Sequence, residues 1–175
     1  MEKKPITNII AGFILFLVMV VYTLIINIGK LQDNMMLGWF SYFIIIAGIA
    51  IFVVKYGKDM NGNITFGNLF AFGFKTTAVV AIFFIAFMVL FYLVFPEYKE
   101  QMLELGRQKA LVNAKGTNPE DIEKGMEIFK RFFWVGLIAG IMLSYAILGA
   151  IGSLIGAAIT KKDPRPVEDV NQIGQ

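Results

Sequence analysis

Four long stretches of this chain contain no Lys, Arg, Asp or Glu, and nothing else in the sequence restricts its fold as strongly. They run from Pro5 to Gly29, Asn34 to Val54, Thr76 to Pro96 and Phe132 to Thr160. An α-helix rises about 1.5 Å per residue and the hydrocarbon core of a bilayer is about 30 Å thick, so roughly 20 apolar residues make one crossing. All four runs reach that length. Peptide groups inside lipid have no water to bond and must satisfy one another, which leaves helices and closed barrels as spanning structures. Barrel strands would alternate apolar and polar residues, and these runs do not. The expected fold is an all-α integral membrane protein with four transmembrane helices over about 7–28, 35–54, 73–95 and 132–159, making one membrane domain of residues 1–175.

Composition narrows function by exclusion. The chain is 57% hydrophobic and 17% charged and contains neither Cys nor His. Disulfides, thiolate or imidazole metal sites, ordinary haem ligation and Ser-His or Cys-His catalysis are therefore unavailable. Carboxylates are the ionisable groups left near neutrality, and none lies mid-span. The spans carry a thin polar set: Tyr22, Thr23, Asn27, Ser41, Tyr42, Thr76, Thr77, Tyr92, Ser144, Tyr145 and Ser153. Ion-coupled transport usually needs an intramembrane charge or a broken helix, and hydrolysis needs a nucleophile with its base. Neither can be assembled, so no enzymatic activity, cofactor or metal is expected. The net charge of +3 fits the basic bias of cytoplasmic loops better than nucleic-acid binding, which is not expected.

Lys and Arg in short flanking segments set orientation. Lys3 and Lys4 precede the first span, Lys55, Lys58 and Lys75 surround the second connection, and Lys161, Lys162 and Arg165 follow the last span. Only Lys30 lies in the first turn, so both termini are expected in the cytoplasm. Trp39 and Trp134 then share the outer interface, which suits indole rings. The first apolar run is longer than a signal-peptide core and no small-residue cleavage site follows, so it is expected to remain as a span.

The connection Glu97 to Arg131 mixes seven basic with seven acidic residues and retains helical periodicity. Tyr98, Met102, Leu105 and Val112 form one row; Ile122, Met126, Phe129 and Phe133 form another. Between them Asn113 to Pro119 is rich in helix breakers. A helix is expected to begin there, capped by Thr117 with Glu120 or by Asn118 before Pro119. Glu120 with Lys124 and Glu127 with Arg131 are spaced for ion pairs. These features predict an extramembrane helical hairpin over about 97–131, its second arm continuous with the fourth span. It is either a solvated connector or a docking surface.

Span four is the most patterned segment. Gly136, Gly140 and Ser144 recur at intervals of four, as do Gly152 and Gly156, with Gly149 joining the second group. Small residues so spaced let helix backbones approach closely in lipid. At about 100° per residue the two groups face nearly opposite sides. Two close-packing faces need two neighbours, either both within the bundle or one in a homo-oligomer or another membrane protein, with the Gly152 and Gly156 face as the candidate for the latter. Before span three, Thr65 is placed to cap a helix from Phe66 to Phe95, with Phe66, Phe70 and Phe74 at intervals of four. Lys75 is then expected either to snorkel to the headgroups or to contact an anionic lipid phosphate or substrate group.

Several segments together resemble a known family. These are Ile64-Thr-Phe-Gly-Asn-Leu-Phe-Ala-Phe-Gly-Phe-Lys-Thr-Thr77, Tyr92 with Phe95-Pro-Glu-Tyr98, Asn118-Pro-Glu-Asp-Ile-Glu123, and Leu148-Gly-Ala-Ile-Gly-Ser-Leu-Ile-Gly-Ala-Ala-Ile-Thr-Lys-Lys162. In this order they are similar to the bacterial domain-of-unknown-function family 4199. The resemblance implies a small four-span inner-membrane protein without established activity or catalytic residues, encoded near polyprenyl-phosphate-type glycosyltransferases, which favours a helper role in envelope assembly. The function expected is a non-enzymatic accessory or scaffold subunit of a bacterial inner-membrane complex. The alternative is a lipid or small-solute binder, or passive carrier, using Lys75 and its phenylalanine row.

Overall fold

The computed structural model describes residues 4–31, 34–113 and 118–162. Six helices follow in order: α1 (Asn8–Ile28), α2 (Met35–Asp59), α3 (Phe66–Val94), α4 (Pro96–Asn113), α5 (Pro119–Arg131) and α6 (Phe133–Ile159). There is no strand among the described residues. α1, α2, α3 and α6 are each long and apolar enough to cross a membrane. Lys3, Lys115, Thr117 and Arg165, which entered the reading of charge and caps, lie outside the described residues.

Local chemistry fixes the helix ends. Thr7 and Thr65 cap α1 and α3, accepting from the N–H groups of Ile10 and Asn68 at 3.3 Å each. Asn118 caps α5, accepting from Glu120 N–H at 3.2 Å; Pro119 follows at the position where a missing N–H matters least. α1 and α2 close in the same way. Lys30 and Asn61 take positive φ (53° and 51°), while Leu31 bonds back to Ile26 and Gly62 to Gly57, the six-to-one closure that satisfies terminal carbonyls. α2 continues past the apolar run to Asp59, with Lys55 and Asp59 paired at 3.3 Å along its last turn. α3 begins seven residues before the expected span, at the Thr65 cap, and its C-cap is Phe95. Pro96 then opens α4.

Side-chain contacts establish the up-down order. The Tyr22 hydroxyl donates to Leu37 O at 2.6 Å, joining the end of α1 to the start of α2. Ile6 N–H donates to Asp59 at 3.1 Å, joining the opposite ends. Tyr92 and Phe133 meet edge to face at 5.7 Å where α3 leaves and α6 enters the bundle, and Lys162 sits 5.6 Å from the Phe66 ring at the far end. Both ends of the described chain thus lie at one end of the bundle. α3 is the central helix, packed on α1, α2 and α6. Its Leu69, Val80, Phe84 and Met88 form the core with Leu15, Met19, Ile45, Ile49 and Val53.

Close packing relies on small residues. Gly12 faces Val79, Gly48 faces Leu15, Gly57 faces Thr160, and Gly73 faces Ser153 and Val53. Meanwhile Phe43, Ile82, Leu93 and Leu143 are more than 60% exposed. Apolar faces of this extent are not sustained against water. They suit lipid, and the fold is that of a multi-pass membrane protein.

The connection departs from expectation in two respects. The run from α5 into α6 is interrupted at Phe132 (φ −102°, ψ 16°), because Phe133 turns inward against Tyr92 while α5 is held toward α4. Glu120 with Lys124 and Glu127 with Arg131 do not pair. Glu123 instead reaches across to Arg107, whose Nε donates to it at 2.8 Å.

Candidate functional site

The two small-residue groups of α6 have different surroundings. Gly149 lies against Thr77 of α3; a Cβ on Gly152 would be 2.8 Å from Ile46 O, and one on Gly156 would be 2.9 Å from Ala50 O. This face is therefore occupied by α2 and α3 within the bundle. Of the two readings of the Gly152 and Gly156 face, contact within the bundle is the one observed: both glycines are buried. The other face is open. A Cβ on Gly140 would meet nothing within 4 Å and one on Gly136 would meet only Phe129, at 3.9 Å; Ser144 is exposed.

Lys75 is exposed near the end of the bundle where both termini lie. It borders a cavity of about 270 Å³ whose wall also carries Asn8, Asn63, Asn68 and Tyr56. Tyr56 stacks on Phe72 at 4.0 Å, rings nearly parallel, which fixes that wall. Phe70 and Phe74 stack at 5.9 Å on the neighbouring row. The arrangement offers one ammonium group beside three amides and a phenol, a set suited to an anionic oxygen.

A larger hollow of about 380 Å³ lies at the opposite half of the bundle, between α1, α2 and α6 with Phe84 of α3 in its wall. Each helix lines it at helical spacing: Tyr22, Thr23, Ile26 and Asn27; Gly38, Ser41, Tyr42 and Ile45; Gly140, Ile141, Ser144 and Tyr145. The polar residues of the spans that looked scattered in the sequence are thus largely gathered here. The signal that would have found them is the repeat of pairs four residues apart on three spans.

Several intramembrane hydroxyls satisfy themselves. Thr76, Thr77 and Ser153 donate to carbonyls four residues back at 2.8, 3.0 and 2.6 Å, the local solution open to short side chains in helices. A tyrosine hydroxyl, held beyond its ring, cannot reach its own preceding turn and needs a partner elsewhere. Tyr22 finds Leu37 O. Tyr145 is 5% exposed, stacks on Phe84 at 5.6 Å, and among the described residues has the one buried side-chain polar atom without a hydrogen-bond partner. Such a group costs roughly 1–3 kcal/mol.

The α4–α5 arm has one packed and one open side. Tyr98 packs on Phe91 at 5.2 Å, Leu103 is 3% exposed, and the Lys99 ammonium lies 5.2 Å from the Phe133 ring. On α5 and its junction with α6, however, Ile128, Phe129 and Phe132 stand exposed beside charged residues of α5. The Arg107 guanidinium holds the Glu123 carboxyl below its ordinary value of 4.5.

No curated protein and no solved structure matches this chain significantly. A family described as protein of unknown function (DUF4199) matches residues 9–162, nearly all of the described helices. By that match, the chain belongs to the DUF4199 family.

Proposed function

We propose that the protein is a non-enzymatic accessory or scaffold subunit of a bacterial inner-membrane complex, in envelope assembly, with α4 and α5 forming a helical hairpin outside the membrane that docks a partner. The observation that carries this reading is the uncovered apolar group Ile128, Phe129 and Phe132. In a lipid-facing span such residues need no explanation. On an arm where Glu120, Asp121, Glu123, Lys124, Glu127, Lys130 and Arg131 crowd around them, they ask for cover. Interface anchors are typically aromatic side chains surrounded by a polar rim, and Phe129 and Phe132 supply them. Gly136, open on the same side, lets a partner helix approach the entry to α6 closely.

Affinity purification in mild detergent tests this, comparing wild type with Phe129→Ser/Phe132→Ser. Wild type is expected to retain a stoichiometric membrane protein that the double variant loses at unchanged elution volume of the chain itself. A partner kept by the double variant removes the arm as its docking surface.

A second reading, a lipid or small-solute binder, is favoured by the grouping of Lys75 with Asn8, Asn63, Asn68 and Tyr56 around one cavity. Those groups match an anionic lipid phosphate at the headgroup level. Retained anionic phospholipid without a protein partner, reduced in Lys75→Ala, is the outcome that selects this reading over the first.

A further inference from the structure

Two hollows of about 630 and 860 Å³ meet along the C-terminal halves of α2 and α6, sharing Val54, Lys58 and Ile159 in their walls. Neither has a lining residue in common with the Lys75 cavity. The first is apolar over most of its length. Ala47, Ala50, Ile51 and Val54 recur at intervals of three and four on one face of α2, and Ile159 joins them from α6. Ala50 is buried, whereas Ile51 and Ile159 are 64% and 65% exposed, so this is a furrow open to lipid. The second hollow is basic, with Lys58, Lys161 and Lys162 in its wall. From Ala47 to Lys58 the helix advances roughly 16 Å at about 1.5 Å per residue, half of a hydrocarbon core about 30 Å thick. The furrow therefore covers one leaflet, apolar at depth and basic at the headgroup level.

Both helices turn their C-terminal ends, and hence partial negative charge, toward the basic hollow. That charge is already answered. Gly62 N–H donates to Gly57 O at 3.0 Å, the Thr160 hydroxyl to Gly156 O at 2.6 Å, and the Lys162 ammonium to Ala157 O and Thr160 O at 2.6 and 3.0 Å. Lys55 is paired with Asp59. Lys58 and Lys161 are exposed, and their side chains have no ion pair or hydrogen bond among the described residues, so two positive charges stay available. We propose that this furrow seats an anionic glycerophospholipid, its phosphate at Lys58 and Lys161 and one acyl chain along Ala47, Ala50, Ile51 and Val54. Basic pockets between helices select acidic headgroups, and lysine binds phosphate as a point charge without a fixed geometry. A zwitterionic lipid brings the same chains and phosphate, but its own cation offsets the attraction. A soluble anion lacks the chain that the furrow covers. This site goes beyond the Lys75 cavity and does not depend on it.

Fluorescence quenching at a single labelled position reads occupancy of this furrow alone. The chain has no cysteine, so bimane attached to Ile51→Cys marks the furrow. Bimane on Leu154→Cys marks ordinary lipid contact, because Leu154 is exposed and lines neither hollow. The full chain is reconstituted in vesicles of phosphatidylcholine with a minor, fixed share of phosphatidylglycerol, and the same molar amount of one lipid or the other carries a nitroxide on its acyl chain. Labelled phosphatidylglycerol is expected to quench the Ile51 position with about tenfold higher apparent affinity than labelled phosphatidylcholine, and the two to quench the Leu154 position alike. Lys58→Gln/Lys161→Gln is expected to remove the preference at Ile51, whereas Lys75→Gln is expected to keep it, which separates this site from the Lys75 cavity. Excess inorganic phosphate at constant ionic strength is expected to change nothing. The proposal is overturned if the two labelled lipids quench the Ile51 position equally, if the preference is as large at Leu154, if it survives the double lysine variant, or if inorganic phosphate abolishes it. Both lysines are exposed and unpaired, so the double variant keeps the fold, and unchanged quenching at Leu154 verifies its insertion.

Discussion

A methyl group on Gly152 would sit 2.8 Å from the carbonyl oxygen of Ile46 and 3.0 Å from the Cβ of Ile49, and neither is the end of a flexible side chain. Two helices would have to separate to admit it. Gly152→Ala is therefore expected to lose about 1–3 kcal/mol of stability, the usual cost of overpacking a tight core. Gly140→Ala, with nothing within 4 Å, is expected to be neutral or to gain up to about 1 kcal/mol from helix propensity. Denaturant titration of the two variants in mixed micelles measures the difference, and equal midpoints would remove the assignment of inner and outer faces. This contrast also marks where the sequence stops being informative. A repeat of four residues shows that α6 has two small-residue faces on opposite sides, because helix geometry fixes that. Which face meets α2 and α3 depends on the rotation of α6 in the bundle, and glycines carry no polarity to orient it.

At the scale of elements, the α4–α5 contact rests on Arg107 and Glu123, joined at 2.8 Å. The guanidinium hydrogen bond lowers the Glu123 carboxyl below 4.5, and Glu123 in turn raises Arg107. For a carboxyl whose folded value is depressed, the stabilisation is complete above its unfolded value and disappears as the pH falls through the lower, folded one. Arg107 stays charged throughout that range. The separation of α4 and α5 is therefore expected to be constant from neutral pH down to the ordinary carboxyl value of 4.5 and to widen only as the pH falls below it. The chain has no cysteine, so spin labels on Gln108→Cys and Glu127→Cys report that distance without background, and Glu123→Gln should show the wide distance at every pH. A distance unmoved by Glu123→Gln would mean that apolar contacts alone hold the arm. The two helices, and Asn118 as one of two caps offered before α5, were legible because periodicity and turn chemistry are local. The ion pair was not, since spacing favours partners four apart within one helix, whereas the observed pair spans sixteen residues. The interruption at Phe132 was hidden for a similar reason. No breaker occupies that position, and the bend comes from Phe133 packing on Tyr92.

For the whole molecule, the strongest constraint is that four crossings return the chain to the side where it began. Ile6 bonded to Asp59 and Lys162 over Phe66 place both ends at one end of the bundle, so orientation reduces to a choice between two arrangements. The number of crossings follows from length and apolarity alone and needs no structure. The gathering of polar residues from three spans into one hollow needs the bundle, because α1, α2 and α6 meet there only through the packing of each on α3 or α2. The choice of side is decided by basic residues. Lys4, Lys55, Lys58, Lys75, Lys161 and Lys162 lie toward the end that carries both termini. Against them stand Lys30 and the mixed charges of α4 and α5, where Lys and Arg sit in a helical arm rather than in a short loop. The positive-inside rule weighs short loops close to the spans most heavily, and on that weighting we propose that the terminal end faces the cytoplasm. A green fluorescent protein fused after Gln175 is therefore expected to fluoresce, and alkaline phosphatase inserted between Lys30 and Leu31 or at Gly106 is expected to be active. An active phosphatase at the C-terminus, with an inactive one in the α4–α5 arm, would invert the orientation and place the exposed row of Phe129 and Phe132 in the cytoplasm, where its partner would then have to be sought.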